Sequence, residues 1–157
     1  MTQVENGITL SKKRAVNKGK GSYILLIKLP AEEIITVGGL KAIRFSPGYY
    51  AYVGSAMNGL EARVNRHLRQ NKKIHWHIDY LLQRVAISSI ILSETTDRTE
   101  CAVAGALNRQ FEAVSRFGSS DCRCRSHLFF SAGEMKPAIM AILSSLGMRP
   151  SLTKAAR

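Results

Sequence analysis

Two hydrophobic periods divide the chain. Tyr23-Ile24-Leu25-Leu26-Ile27 is a continuous apolar run rich in β-branched and aromatic residues, the signature of a buried strand. Pro30 and the glutamates behind it end that run. Ile34 to Val37 reads as a second short strand, followed by a turn at Gly38-Gly39. A third run starts at Ala42, Ser46-Pro47-Gly48 forms a tight turn, and Tyr49 to Gly54 returns as a strand. Antiparallel strands joined by hairpins are the economical arrangement. The period then changes. Leu60, Val64 and Leu68 mark one helix face. Trp76 to Gln83 suits a strand or a helix, and Val85 to Leu92 reads as a strand. Asp97 opens a second helix with the stripe Ala104, Leu107, Phe111. Cys122 to Cys124 and Leu128 to Phe130 read as strand or loop. Lys136 to Leu146 forms a last helix, closed by Gly147 and Pro150.

The expected class is therefore α+β. Residues 1–20 read as a flexible basic arm, 21–149 as a single folded domain and 150–157 as a tail. A chain of 157 residues is long enough to bury one core unaided. No apolar stretch approaches the roughly 20 residues of a spanning helix, so no membrane partner is expected. Three cysteines without a secretory leader read as reduced thiols, which points to the cytoplasm.

Charge narrows the partner. The chain carries 23 Lys and Arg against 11 Asp and Glu, a formal net charge of +12, which favours a polyanion such as nucleic acid. Between Arg63 and Lys73 the basic residues Arg63, Arg66, Arg69, Lys72 and Lys73 stand with no acidic residue among them. Arg63 and His67 lie one turn apart and share a helix face. A planar guanidinium suits phosphate oxygens, so this face is a candidate phosphate contact, with Trp76 as a candidate stacking platform. The plain alternative is a solvated basic face. Glu100 has two readings as well. It can complete a capping box with Asp97, or it can be a carboxylate on the buried stripe, which needs a partner or a metal.

Gly21-Ser22-Tyr23 and Tyr52-Val53-Gly54-Ser55-Ala56 resemble the two halves of the GIY-YIG motif. Arg63-Val64, His67 one turn later and Glu100 at the head of a later helix are similar to further positions of that nuclease superfamily. His75 to Tyr80, with Phe117 to Cys122, resembles a bacterial and archaeal (Uri-type) branch of it. The resemblance implies a three-stranded antiparallel sheet flanked by helices, here with an inserted strand and turn (31–41) and a C-terminal extension. It implies a metal-dependent endonuclease, with DNA as the expected substrate. Tyr23 would serve as the general base or its assistant and Tyr52 would position water. Arg63 would hold the phosphate, and Glu100 would bind Mg²⁺ or Mn²⁺. A phenol near pKa 10 is a poor base at neutrality, so Tyr23 needs a cation or a neighbour such as His67. The asparagine that many members carry after the glutamate helix has no clear counterpart.

A second metal site is also conceivable. His75 and His77 would share a strand face, as would Cys122 and Cys124, with His127 close behind, a set soft enough for structural zinc. Alternatively these histidines are core or hydrogen-bonded residues, or line a nucleic-acid groove with Trp76. The rival to the nuclease reading as a whole is a non-catalytic basic nucleic-acid-binding module.

Overall fold

A computed structural model describes residues 19–155. Most of the expected basic arm (1–20) lies outside the described residues. The elements run β1 (Gly21–Leu29), β2 (Glu33–Thr36), β3 (Ala42–Phe45), β4 (Gly48–Ala56), α1 (Leu60–Leu68), α2 (His77–Leu82), β5 (Ile87–Glu94), α3 (Glu100–Asn108), β6 (Glu112–Ala113), β7 (Leu128–Ser131), α4 (Lys136–Ser145) and β8 (Ser151–Lys154). The class is α+β.

The sheet differs from the three-stranded expectation. Six strands pair in the order β6-β7-β4-β1-β5-β8, antiparallel at every junction, while β2 and β3 form a separate two-stranded sheet. The insertion between the two tyrosine-bearing strands is thus a whole hairpin reaching Phe45, longer than the strand and turn expected over 31–41. The supposed tail also folds: Ser151–Lys154 hydrogen-bonds along β5.

β1 sits at the centre, which explains its unbroken apolar run. Its side chains alternate between two faces, and both faces are covered. Tyr23, Leu25, Ile27 and Leu29 enter one core with Tyr52, Leu60, Val64, Ile78, Leu81 and Phe117. Ile24 and Leu26 enter the other with Val53, Ile91, Val103, Leu107, Ile139 and Leu143. Helices α1 and α2 and the β2–β3 hairpin therefore cover one face of the sheet, and α3 and α4 cover the other.

Two helix details depart from the sequence pattern. The buried positions of α1 are Leu60, Val64 and His67, with Leu68 only half-buried. Helix α3 starts at Glu100 behind an N-cap at Thr99, so the Asp97–Glu100 capping box does not form. The Thr99 hydroxyl instead meets that of Ser22 on β1 at 2.7 Å.

Candidate functional site

The register of the central pair brings the two tyrosines together. Tyr23 on β1 stands opposite Gly54 on β4, and Tyr52 stands opposite Leu25 two residues along, so both rings lie on one face. The Tyr23 ring covers Gly54 so closely that a Cβ there would lie 2.2 Å from its Cζ atom. Only glycine fits that strand position.

His67 reaches this face from α1. Its Nε2 lies 2.7 Å from the Tyr23 hydroxyl, and its ring packs edge-on to Tyr52 with centroids 6.1 Å apart. His67 Nδ1 is buried without a hydrogen-bond partner among the described residues. Burial, with Lys72, Arg66 and Arg63 nearby, lowers the His67 pKa from 6.5 to about 3, although Asp79 acts in the other direction. The imidazole is therefore neutral across the ordinary pH range. Burial also raises the Tyr23 phenol well above its usual value, with Arg63 opposing that shift. Burial pushes Tyr52 up likewise.

Arg63 is held at the rim. One guanidinium nitrogen donates to the Ser55 carbonyl at 2.8 Å, and the group lies over the Trp76 ring, 4.8 Å from its centroid. Tyr23, Tyr52, Arg63, Trp76 and Glu100 all line one cleft of about 480 Å³, together with Gly118, Asp121, Cys122 and His127. Arg98 also lines it. His67 sits behind this wall, buried at 2% exposure, and meets the cleft only through its hydrogen bond with the Tyr23 hydroxyl.

The rest of the basic run divides. Arg66 grips Asp79 with two nitrogens at 3.1 and 3.0 Å, donates to the Lys73 carbonyl at 3.0 Å and lies over Trp76. The Lys72 ammonium donates to the backbone carbonyls of Arg66 and His67, and burial lowers its pKa to about 8. These two side chains brace the segment between α1 and α2, a role the sequence reading of them as phosphate contacts did not include. Arg69 and Lys73 are exposed. Asp79 is fully buried. It accepts from the backbone N–H groups of His75 and Trp76 at 2.8 and 3.0 Å. Burial alone would raise its pKa, but Arg66 and those two donors outweigh it and hold the carboxyl below its usual value.

The candidate soft-metal residues regroup. His75 lies exposed in the loop before α2, and the His77 Nδ1 accepts from the Gly118 N–H at 2.8 Å, so neither shares a strand face or joins a ligand cluster. Cys101, Cys122, Cys124 and His127 instead offer ligand atoms that all lie within 4.8 Å of one another. Cys101, on the first turn of α3 beside Glu100, was passed over in the sequence because its partners are supplied from a distant loop. Arg98 was missed for the same reason, whereas Asp121 belongs to the Phe117–Cys122 segment that the sequence had singled out.

Glu100 lies between the two groups of residues. One carboxylate oxygen approaches His127 Nδ1 at 3.1 Å, off the line of a well-formed hydrogen bond, and the side chain keeps 27% exposure in the cleft. Burial depresses the His127 pKa, but Glu100 and Cys122 outweigh it and raise the net value. Glu100 and Asp121 are the two carboxylates lining the cleft. One or two carboxylates completed by water are what a hard divalent cation such as Mg²⁺ takes, and these two side chains are the carboxylate donors the cleft offers.

Among the described residues no helix is long and apolar enough to cross a membrane. No curated protein and no solved structure matches the chain. The family described as "Domain of unknown function DUF123" matches residues 22–148. With that match covering most of its length, the chain belongs to the DUF123 family.

Proposed function

We propose that this protein is a divalent-metal-dependent endonuclease of the GIY-YIG type that hydrolyses phosphodiester bonds, with DNA as its substrate. The observation that carries the reading is the convergence of Tyr23, Tyr52, Arg63 and Glu100, from four separate elements, on one cleft. A fold needs no such convergence for stability, and phosphodiester hydrolysis needs groups of these kinds together.

In this reading Arg63 holds a non-bridging phosphate oxygen, with the Ser55 carbonyl and Trp76 fixing its direction. Arg98, in the same wall, adds positive charge. Tyr23 orients the attacking water and relays its proton: as the water yields a proton to the phenol oxygen, the phenol proton passes to His67 Nε2. An imidazole with a pKa near 3 is a weak acceptor. Burial is the main cause of that low value and Arg63 the smallest of its cationic causes, so a phosphate seated on Arg63 relieves only a small part of it. Tyr52 walls the water in. A Mg²⁺ or Mn²⁺ ion held by Glu100 supplies Lewis-acid polarisation of the phosphate when bound.

The test uses purified protein with plasmid, branched and single-stranded DNA and with RNA, in Mg²⁺, Mn²⁺ or EDTA, with Glu100→Gln alongside. Cutting of DNA by the wild type that needs metal and is lost in the variant is the expected result. Salt-dependent binding with no cutting of any substrate would overturn the enzyme and leave a basic binding module.

A further inference from the structure

The segment between β6 and β7 runs from residue 114 to residue 127 without a helix or strand. Loops of that length inside a compact domain are uncommon and usually functional. Backbone hydrogen bonds such as Arg116 N–H to the Arg125 carbonyl and His127 N–H to the Phe117 carbonyl, each 2.8 Å, tie the two limbs of this one together. Phe117 anchors one end in the core. The other end carries Cys122, Cys124 and His127, facing Cys101 on the first turn of α3. The His127 ring is already aimed: Nε2 lies 3.4 Å from the Cys122 sulfur, and Nδ1 faces Glu100 at 3.1 Å.

We infer that Cys101, Cys122, Cys124 and His127 form a structural zinc site, with Glu100 as the carboxylate that orients His127. Three thiolates and an imidazole are soft and borderline donors, suited to zinc rather than to magnesium. With Zn–S near 2.3 Å and Zn–N near 2.0–2.1 Å, tetrahedral ligand atoms stand roughly 3.5–3.8 Å apart. The Cys122–His127 separation of 3.4 Å is at that spacing, and the widest ligand separation, within 4.8 Å, needs about 1 Å of closure by rotamer adjustment. An imidazole that coordinates through one nitrogen while the other faces a carboxylate is the usual outer-sphere pattern of zinc histidines. On binding, each thiol releases its proton to solvent as its S–Zn bond forms, and His127 coordinates as neutral imidazole. Four protein ligands leave no open position, so the ion serves structure rather than turnover. It ties the 114–127 loop to the start of α3 and so fixes Gly118, Asp121 and Glu100 around the cleft.

The site stands independently of the nuclease reading, and the full-length protein tests it. Purification under reducing conditions without chelator, followed by elemental analysis, should give about one zinc per chain by the four-ligand geometry. Refilling the stripped protein with Co²⁺ should give thiolate-to-cobalt charge transfer in the near ultraviolet and tetrahedral d–d bands in the red. Cys101→Ser and Cys124→Ser should each lose the retained metal. Glu100→Gln should keep zinc with affinity weakened about 10–100-fold. Metal-free protein whose three thiols react freely with a thiol reagent, or in which two of them are joined in a disulfide by mass, would overturn the site. Full zinc retention in Cys101→Ser would overturn the ligand set. Zinc without cutting upholds this site and removes the nuclease, and Mg²⁺-dependent cutting by protein that holds no zinc does the reverse.

Discussion

Replacing Arg66 with Met separates bracing from phosphate binding. Methionine keeps an unbranched stem over Trp76 but removes the guanidinium that holds both oxygens of Asp79. The carboxylate has no exposure, while the Arg66 side chain retains 19%. Breaking a buried pair by deleting one partner costs about 3–5 kcal/mol. Two backbone N–H donors still hold Asp79 at 2.8 and 3.0 Å, which argues for the lower end, about 3 kcal/mol. For a chain of this size that lowers the melting temperature by about 6–12 °C. The pH dependence has a defined sign. The folded-state pKa of Asp79 lies below its ordinary 3.8, so the ion pair's contribution is complete above the unfolded value and is lost as pH falls through the folded one. The gap between wild type and variant should therefore be full at neutrality and shrink below about pH 3.8, the unfolded pKa. Urea titrations at several pH values, with salt-dependent DNA binding measured in parallel, check this. A loss under about 1 kcal/mol, with a salt slope shallower by about one unit, would refute the bracing role and restore Arg66 as a phosphate contact.

His67 supplies a second pH signature. Its folded pKa of about 3 lies below the ordinary 6.5, so the unfolded chain takes up a proton that the folded chain refuses. Stability attributable to His67 is full above pH 6.5 and falls as pH drops toward 3, by about 2 kcal/mol at pH 5. Denaturation of wild type and His67→Gln at pH 7 and 5 isolates this slope, and equal slopes in the two proteins would contradict it. Gly54→Ala should cost about 1–3 kcal/mol, because its methyl would meet the Tyr23 ring and push the hydroxyl off His67. An unchanged melting temperature would show that the ring yields freely.

Local pattern sufficed for what is local. β1, β4, α1 and α4 each carry their own period and punctuation, and Tyr23, Tyr52 and Arg63 on three of those elements line one cleft with Glu100, while His67 and Arg66 on α1 lie outside it. Pairing order was not legible, because an apolar run does not say which strand lies beside it. The hairpin of β2 and β3 therefore read as part of one meander, whereas β1 pairs with β4 and β5. The braced cations escaped for a related reason. Arg66 looks like a free cation until α2 brings Asp79 beneath it. Cys101 looked inert until a loop more than one element away brought up its companions. The chemistry assigned to these groups rests on contacts between segments that no short window contains.

The strand β8 has a consequence of its own. It lies beyond residue 148, where the family match stops, yet it pairs with Ser89 to Leu92 of β5. β5 carries Ile90, Ile91 and Leu92 in the two cores, and without β8 one row of its amide and carbonyl groups would have no strand beside it. Such a row is a template for a foreign strand. β8 is short and charged at Lys154, a poor template itself. Strand β8 thus satisfies the outer row of β5 and makes the sheet border at Ser151–Lys154, four residues long, in place of the longer and more apolar β5.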